Sequence, residues 1–293
     1  MLSILIPTKD YDCHRLIKEL HRQGQALDIP FEILVGEDGT SAANLNLNNT
    51  SDNLPNYRRI VKTHNIGRAK MRNLLALESR YSNLIFIDSD AIVEKSDFLA
   101  IYAEALKSYS VVCGGLYHAD KCPNNNCSLR YRYEKETDKK RDALTRSKAP
   151  YDRFATFNFA IKKDIFVAIL FDDSITRYGH EDTLFGKELE KRGIKIKHIE
   201  NRLLHNGLED NATFLAKTEQ ALFNLKEMKD KIGETPLLIA VHKLQKFHLE
   251  GLFMAFWKRC KGILKKNLLG NKPSLKIFNI YKLGYYISLQ NRI

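Results

Sequence analysis

Two aspartates follow a run of apolar residues in the first third of the chain. Asp88 and Asp90 flank Ser89, directly after the apolar segment 84–87, which has the pattern of a buried strand. Two carboxylates this close repel each other, so a cation or a hydrogen-bond donor should lie nearby. Hard divalent ions such as Mg²⁺ are held by one or two carboxylates together with substrate phosphates. The pair therefore indicates a metal site, with a helix cap and a solvated turn before Asp97 as the alternative.

The segments around this pair alternate between short apolar runs and amphipathic stretches, the pattern of an α/β protein with a sheet flanked by helices. The predicted strands are residues 2–6, 31–35, 59–63, 84–87, 111–114, 156–161 and 194–199. Helical spacing occurs at 12–23, 68–79, 97–107 and 182–191. In open sheets of this kind ligands bind beyond the carboxyl ends of the strands, so the loops after the strands should carry the chemistry.

Two parts of the chain depart from this alternation. Residues 118–150 are rich in polar and charged side chains, which predicts a long surface excursion, with a mobile lid as one interpretation. From Asn211 onward the pattern is helical, and breaks at Gly233, Pro236, Gly270 and Pro273 predict three or four helices. We therefore expect a catalytic domain at 1–210 and a helical extension at 211–293.

The net charge of +12 is concentrated at the C-terminal end. From Pro236 onward the chain has eleven Lys and Arg and one acidic residue, Glu250, so this tail carries +10 of the total. Apolar side chains are interleaved with these bases, as in helices that lie in a membrane interface, where each base near anionic lipid adds about 1 kcal/mol. The alternative is a helical cap packed on the sheet with a solvated basic face.

The sequence shows no long apolar segment. The chain begins with an apolar strand and has no basic leader, so we expect no signal peptide. The longest apolar stretch of the tail, 249–257, contains Glu250 and is too short to span a bilayer. The five cysteines are dispersed and are expected to be free cytosolic thiols, with zinc at Cys122 and Cys127 as the alternative.

Several motifs, in order over about the first 205 residues, resemble those of family 2 glycosyltransferases of the GT-A fold, the inverting group that uses nucleotide-diphosphate sugars. The motifs are the opening strand at 3–8, the loop at 36–40, the helix start at 65–73, the Asp88-Ser89-Asp90 triplet, the loop at 157–158, the run from Gly179 to Asp182, and His205. The sequence departs from the family pattern at Glu37, Met71 and Lys9-Asp10. These departures bear on which nucleoside binds more than on the fold.

The resemblance implies a donor site at the carboxyl edge of the sheet. Its predicted nucleotide-sugar contacts are Pro7, Thr8, Asp10, Asp38, Gly67, Arg68, Arg72, Asp88, Ser89 and Asn158. Asp38 would accept a hydrogen bond from the base, uracil being the commonest in the family, or would instead shape the turn before Gly39. A helix begins after Gly67, and its first backbone N–H groups, together with Arg68 and Arg72, can bind phosphate oxygens.

The resemblance also implies a metal and a catalytic base. Asp90, Asp88 and His205 are predicted to hold Mn²⁺ or Mg²⁺ against the diphosphate; the alternatives are a ribose contact for Asp88 and a structural role for His205. Inversion requires a base on the acceptor hydroxyl, and Asp182 is the candidate, with Glu181 positioning a hydroxyl. Otherwise these two acids only favour the dipole of their helix.

The predicted function is metal-dependent hexosyl transfer, with inversion, from a UDP-sugar to a saccharide or lipid-linked saccharide in bacterial surface glycan synthesis. The protein is expected to be cytoplasmic and peripheral on the inner face of the cell membrane, with no nucleic-acid partner. A sugar-phosphate nucleotidyltransferase is the alternative, but it should carry a glycine-rich phosphate loop after the first strand, where residues 7–10 contain no glycine. A nucleic-acid-binding protein that uses the basic tail is a further alternative, but it would not explain the acidic residues at the ends of the strands.

Overall fold

The computed structural model describes residues 1–51, 53–175 and 177–290. Its strands are β1 (Leu2–Thr8), β2 (Phe31–Asp38), β3 (Tyr57–Lys62), β4 (Asn83–Ile87), β5 (Ala91–Ile92), β6 (Val111–Cys113), β7 (Leu116–Tyr117), β8 (Asn158–Lys162), β9 (Ile196–His198) and β10 (Leu203–His205). Its helices are α1 (His14–Gln25), α2 (Arg68–Glu78), α3 (Phe98–Ser108), α4 (Ser128–Asp138), α5 (Ala143–Ser147), α6 (Lys163–Ile169), α7 (Glu181–Lys191), α8 (Asn211–Ile232), α9 (Pro236–Lys246), α10 (Glu250–Leu269) and α11 (Leu275–Gln290).

The main sheet has the strand order β3-β2-β1-β4-β8-β6-β9. The first four strands of this order are parallel, β9 is parallel to β6, and β8 is antiparallel to both β4 and β6. The predicted α/β class with a mixed sheet flanked by helices is confirmed. Each of the seven predicted strands corresponds to one strand of this sheet, with ends that differ by a few residues.

Both faces of this sheet are buried. On β1, Ile4 and Ile6 belong to the core that the sheet forms with α1 and α3, whereas Leu5 belongs to the core on the other face, with α2, α6 and α7. Successive side chains of a strand point to opposite faces, so a strand covered on both sides is apolar at most positions. This is why the central strands are largely apolar in the sequence. The buried polar exceptions Ser3 and Glu32 hydrogen-bond to each other across β1 and β2 over 2.7 Å.

A second, small sheet has the order β5-β10-β7. It is formed by the segments that follow β4 and β6 and by the segment that follows β9. β5 and β7 have only two residues each, too few to produce a periodic pattern in a sequence. These two strands were not predicted, and they prove important because they determine which side chains lie next to Asp90.

The segment 118–150, predicted to be a long surface excursion, is mostly exposed or half-buried but has regular structure, and its interpretation as a mobile lid stays a prediction. The segment contains helices α4 and α5, and Leu129 and Arg146 are fully buried within it. One ion pair lies within α4, between Arg130 and Glu134 over 2.8 Å. Such a pair at i,i+4 spacing adds about 0.2–0.5 kcal/mol to a helix.

By its internal packing the chain forms two compact units. The first consists of Met1–Ala119, Asp138–Thr176 and Glu181–Gly207, and the second of Asp120–Thr137, Arg177–His180 and Leu208–Ile293. The prediction of three or four helices after Asn211 is confirmed by α8, α9, α10 and α11. A domain boundary at 210 stays a prediction. Among the described helices, none combines the length and the apolar content needed to cross a membrane.

Candidate active site

Three neighbouring parallel strands bring predicted site residues to one edge of the main sheet. β1 ends at Thr8, β2 ends at Asp38, and Asp88 follows directly after β4. The strands pair in the order β2, β1, β4, so their carboxyl ends lie side by side. The sheet itself therefore collects these acidic and hydroxyl side chains at a single edge.

The small sheet places Asp90 beside two histidines. His205 of β10 pairs with Ala91 of β5, and the backbone N–H of Asn206 donates to the carbonyl of Asp90 over 3.0 Å. On its other side β10 runs parallel to β7, which brings His118, the residue after β7, alongside His205. The side-by-side arrangement of these three side chains is thus a consequence of backbone register.

Together with Asp138 these side chains form a continuous chain of hydrogen bonds. The Nε2 of His205 lies 3.0 Å from the Oδ2 of Asp90, and its Nδ1 lies 2.9 Å from the Nε2 of His118. The Nδ1 of His118 lies 3.0 Å from the Oδ1 of Asp138. Burial alone would raise the pKa of Asp138, but His118 and Arg141 hold it below its ordinary value. A carboxylate at the far end therefore orients both imidazole rings.

The Asp90–His205 pair fits a divalent cation that is completed by its substrate. Carboxylate oxygen and imidazole nitrogen are both ligands for ions of the Mn²⁺ type. Within the described part of the chain, no three Asp, Glu, His or Cys side chains converge into a ready-made metal site. Two protein ligands would leave positions for phosphate oxygens and water, which is common for Mg²⁺-type sites. The donor set therefore suits a cation that binds together with a diphosphate.

Gly207 packs directly against Asp90. A Cβ added to Gly207 would lie 2.7 Å from the Cβ and Cγ of Asp90 and closer still to its Oδ2. Any larger residue would have to displace the carboxylate, because atoms do not approach each other so closely. This glycine was not predicted as a site residue, since its importance comes from contact with a distant part of the chain.

Arg72 is a buried guanidinium at the same edge of the sheet. It is 3% exposed, and its Nη2 donates to the Oδ1 of Asp88 over 2.6 Å. Its Nε and Nη1 have no hydrogen-bond partner among the described residues. Unpaired N–H groups on a buried cation are costly unless a polar ligand meets them. Arg72 therefore has two donors available for a phosphate or hydroxyl group of a substrate.

The two aspartates of the triplet have different partners. Asp88 is ion-paired with Arg72, whereas Asp90 is bonded to His205. Both carboxylates are half-buried, as is Ser89 between them. This division agrees better with a substrate hydroxyl as the partner of Asp88 than with a second metal ligand, and both roles stay predictions.

Asp182 lies in the first turn of α7, where its Oδ1 accepts the backbone N–H of Thr183 over 2.7 Å. Burial, followed by the charge of Glu181, raises the pKa of Asp182 to about 6 from an ordinary value of 3.8, and Arg72 acts in the opposite direction. A carboxyl group with this pKa is ionised at neutral pH and is more basic than an ordinary aspartate. Its electrostatics therefore suit the predicted general base.

Asp38 organises the loop before α2. Its Oδ1 accepts the N–H of Ile66 over 2.6 Å, and its Oδ2 accepts the N–H of Gly67 over 3.0 Å. Gly67 has a φ of +95°, in the left-handed region that favours glycine. In the next turn Arg68 lies 4.0 Å from Glu181, so the starts of α2 and α7 are close together. These hydrogen bonds fix the loop before α2 and not the turn before Gly39, so the base contact and the turn-shaping alternative both stay predictions.

The other predicted base-pocket residues follow β1. Pro7 is half-buried, Thr8 is buried and Asp10 is exposed. The Oδ1 of Asp10 accepts hydrogen bonds from the backbone N–H and the hydroxyl of Ser41 and from the Nδ2 of Asn44, which lower the pKa of Asp10. These bonds join the loops after β1 and β2, where a base was predicted to bind.

Asn158 is the deepest of the predicted donor contacts, at 1% exposure. Its Oδ1 accepts the hydroxyl of Tyr102 over 2.7 Å, and its Nδ2 donates to the carbonyls of Gly115 and Asn201 over 2.9 and 2.8 Å. The side chain therefore holds the loops after β6 and β9 together. A direct contact with a donor sugar stays a prediction that would require one of these bonds to be exchanged.

Three residues of the site were not predicted from the sequence: His118, Asp138 and Gly207. The first two lie in the polar segment 118–150, where no motif marks them. Their position depends on the pairing of β7 with β10, and a two-residue strand has no recognisable periodicity. A sequence signal for them would have required knowledge of that pairing.

The comparison with known families decides the class of the protein. The family described as glycosyl transferase family 2 matches residues 3–169, more than half of the chain. The chain belongs to glycosyl transferase family 2. Membership makes it a glycosyltransferase, as the resemblance in the sequence predicted. The match includes the edge formed by β1, β2 and β4 with Asp88 and Asp90, whereas Asp182 and His205 lie beyond it.

Solved structures with a similar fold support the predicted GT-A fold. Mannosyltransferase PcManGT from Pyrobaculum calidifontis, in complex with GDP-Man and Mn²⁺, has a TM-score of 0.57 at 13% identity, over 99% of this chain and 86% of that chain. S. aureus TarS 1–349 in complex with UDP has a TM-score of 0.52 at 15% identity, over 99% and 92%.

These identities are low enough that the likeness shows the fold alone, and it confirms the GT-A fold. In a longer S. aureus TarS structure, with a TM-score of 0.50 at 16% identity, the match covers 76% of this chain but only 39% of that chain. No match is found among functionally curated proteins.

Proposed function

We propose that this family 2 member transfers a sugar, with inversion, from a nucleoside-diphosphate donor, preferentially a UDP-sugar, and depends on Mn²⁺ or Mg²⁺. The observation that carries the proposal is the pair of Asp90 and His205, 3.0 Å apart and held by the pairing of β5 with β10. Arg72, with two unused donors, adds a positive charge beside the same triplet. A cation site and a buried arginine together match the charge of a diphosphate leaving group.

In this proposal Asp90 and His205 hold the cation, and His118 and Gly207 fix their positions. When bound, the cation neutralises negative charge on the departing nucleoside diphosphate. Arg72 offers its free N–H groups to the phosphates, and the remaining oxygen of Asp88 accepts a hydroxyl of the ribose or the sugar. In this arrangement Asp90 contacts the diphosphate through the cation, Arg72 contacts it directly, and Asp88 contacts a hydroxyl of the ribose or the sugar.

Asp182 acts as the base in the same proposal. The acceptor hydroxyl oxygen forms a bond to the anomeric carbon while the bond to the diphosphate breaks, and the hydroxyl proton passes to Asp182. The raised pKa of about 6 makes Asp182 a better proton acceptor than an ordinary aspartate. Glu181, beside it, positions a hydroxyl group of the donor or the acceptor.

The donor nucleotide differs among the proteins of similar fold. TarS 1–349 is solved in complex with UDP and with UDP-GlcNAc, whereas PcManGT is solved with GDP-Man. We favour UDP here, with Thr8, Asp10 and Asp38 around the base at the ends of β1 and β2. The acceptor in this proposal is a saccharide or lipid-linked saccharide of a bacterial surface glycan.

The proposed location is the inner face of the cell membrane, and helix α10 supports it. One side of α10 is buried, whereas Leu252, Phe256 and Ile263 on the opposite side are 72%, 49% and 73% exposed. Arg259 and Lys266 lie on the same side as these apolar residues by helical spacing. An exposed apolar stripe bordered by bases is typical of a helix that lies in an anionic membrane interface.

Replacing the exposed stripe with serines should release the protein from membranes. The triple variant Leu252→Ser, Phe256→Ser and Ile263→Ser should bind vesicles containing anionic lipid at least about 100-fold more weakly, because full burial of each large apolar side chain contributes about 1.5–3 kcal/mol and even partial burial of all three exceeds that factor. Cosedimentation measures this. The matched control replaces three exposed apolar residues of the first unit with serine, Val61, Leu77 and Leu144. Equal binding by both variants would contradict the membrane role.

His118 should act as a positioning residue for the cation site. Replacing it with Ala should lower the affinity for Mn²⁺, measured with UDP present by electron paramagnetic resonance of the free ion, by about 10–100-fold, as expected for a partner behind a metal ligand. Asp138→Asn should change the affinity in the same direction. The control is His198→Ala, which removes a buried histidine of β9 that is hydrogen-bonded to Arg146. It should leave the affinity for Mn²⁺ unchanged. Unchanged Mn²⁺ affinity in His118→Ala would contradict the assignment.

The direct test of the proposed function is a screen of UDP-, GDP- and dTDP-sugars with Mn²⁺, with Mg²⁺ and with a chelator. We expect release of nucleoside diphosphate from a UDP-sugar that is fastest with Mn²⁺ or Mg²⁺ and stops with the chelator. Release at the same rate with the chelator would contradict the proposal. So would release of pyrophosphate from UTP and a sugar phosphate, which is the reaction of a nucleotidyltransferase.

A further inference from the structure

The second compact unit contains a cavity of about 610 Å³. Its lining comes from α8, α10 and α11 and combines aromatic and basic side chains. The glycosyl transfer proposed above uses none of these residues.

Three lysines of α10 give the cavity its charge. Lys258, Lys261 and Lys265 follow one another at helical spacing, so they occupy one side of the helix. All three are exposed, and among the described residues none has a carboxylate within ion-pair distance. The one acidic residue of the lining, Glu219, already accepts the hydroxyl of Tyr281 over 2.6 Å. The cavity therefore has an excess of positive charge without internal partners.

Aromatic rings form a second part of the lining. Trp257 and Tyr281 lie with ring centroids 6.3 Å apart, and Tyr285 stacks on Tyr281 at 6.2 Å. Lys261 lies 5.7 Å from the centre of the Trp257 ring. The close approach of α10 to α11 depends on Gly284, because a Cβ there would collide with the indole. Rings fixed in this way offer a flat apolar surface next to the three ammonium groups.

We propose that this cavity binds a phosphate ester, with the phosphate on Lys258, Lys261 and Lys265 and the adjoining sugar or alkyl part against the aromatic rings. Ammonium groups bind phosphate as point charges. Three flexible lysines on one side of a helix can therefore converge on a small anion without a fixed bonding geometry. The cavity faces away from the exposed stripe of Leu252 and Ile263 by helical spacing. The site is thus separate from the proposed membrane contact.

Trp257 makes the proposal directly testable, because it is the only tryptophan of the chain. The full-length protein is titrated with glucose 1-phosphate, and separately with vesicles of phosphatidylglycerol or of neutral phosphatidylcholine, while tryptophan emission is followed. We expect a saturable change with a phosphate ester. The variant Lys258→Gln, Lys261→Gln and Lys265→Gln should bind at least about tenfold more weakly, since each charged hydrogen bond accounts for roughly that factor.

The control variant also removes three positive charges, but from exposed lysines outside both the cavity lining and the exposed stripe of α10: Lys243→Gln, Lys246→Gln and Lys276→Gln. It should bind within about threefold of the original protein, a small loss set by long-range charge alone. A response to glucose 1-phosphate that the cavity variant weakens identifies a soluble source of phosphate. A response only to phosphatidylglycerol vesicles, weakened by the cavity variant but not by the control, identifies a lipid headgroup; either result supports the proposal. No saturable response to either probe, or equal weakening in both triple variants, would overturn it.

The substituted lysines are exposed, so the fold should persist, and unchanged circular dichroism checks this. If the triple variant is unstable, the single variant Lys261→Gln replaces it. Lys261→Gln should bind the phosphate ester about threefold to tenfold more weakly than the original protein does. The Mn²⁺-dependent part of UDP binding, measured by calorimetry with and without a chelator, involves the first unit and should be the same in all variants. Failure of phosphate binding in the cavity is therefore distinguishable from failure of the proposed transferase function.

Discussion

Replacement of Asp182 by Asn should lower the rate of sugar transfer by about 10²- to 10⁴-fold, the usual contribution of a general base. Asn keeps the size of the side chain and can still accept the N–H of Thr183, but it cannot take the proton of the acceptor hydroxyl. Binding of UDP, measured by calorimetry, should be unchanged because the base acts on the acceptor. A variant that loses transfer and UDP binding together would indicate a positioning role instead.

The raised pKa of Asp182 predicts how activity depends on pH. The base must be ionised, so kcat/KM should fall tenfold per pH unit below about 6 and should level off above it. In Asp182→Asn this acidic limb should disappear from the residual activity. A limb that persists in the variant would assign the ionisation to another group.

The same pKa predicts that Asp182→Asn does not destabilise the protein. Because the folded-state pKa lies above the ordinary 3.8, the folded protein binds this proton more tightly than the unfolded chain does. The ionised carboxylate therefore destabilises the fold, increasingly as pH rises from about 4 to 6 and fully above 6. At pH 8 the melting temperature of the variant should equal or exceed that of the original protein.

Asp164 offers a matched control for these measurements. It too lies in the first turn of a helix, α6, and its Oδ1 accepts the next backbone N–H, that of Ile165, over 2.9 Å. It is exposed. Asp164→Asn should leave both the rate and its pH dependence unchanged, which separates a helix-dipole effect from catalysis.

Replacement of Asp90 by Asn should lower metal-dependent transfer by more than about 100-fold, because a direct metal ligand matters more than outer partners, whose loss costs about 10–100-fold. Mn²⁺ affinity in the presence of UDP should fall in parallel. His205→Ala should act similarly, since it removes the second ligand of the pair. Excess Mn²⁺ should restore part of the activity of both variants.

Asp97→Asn serves as the control for these variants. Asp97 is an exposed aspartate at the start of α3, and its side chain makes no capping hydrogen bond. Its replacement should change neither Mn²⁺ affinity nor rate. Full activity of Asp90→Asn with a chelator present would contradict a role for Asp90 in holding a cation.

Residues whose position depends on local structure could be predicted from the sequence. Asp88 follows the apolar run 84–87, Asp38 ends a strand that is apolar at 31 and 33–35, and Asp182 lies in the first turn of a helix, so each is marked by the pattern of its own segment. The parallel pairing of β2, β1 and β4 then brings the first two to one edge. Local pattern and the rule for sheet edges indicated where these residues lie, whereas the roles of Asp38 and Asp182 were predicted from the family resemblance.

Residues whose position depends on pairing between distant short segments could not be predicted. The partnership of His205 with His118 results from strands of two and three residues. The helical nature of 128–138 was hidden because this segment is mostly polar and has no apolar stripe at helical spacing. The burial of Arg72 and its bond to Asp88 are likewise tertiary properties, although Arg72 itself was predicted as a donor contact.

The cation site is tested most directly by a crystal of the full chain soaked with Mn²⁺ and UDP. We predict an anomalous peak at about 2.0–2.6 Å from a carboxylate oxygen of Asp90, with the Nε2 of His205 and the diphosphate among the other ligands. Bound UDP without a peak there, and with His205 still hydrogen-bonded to Asp90, would contradict a metal-dependent mechanism at this site.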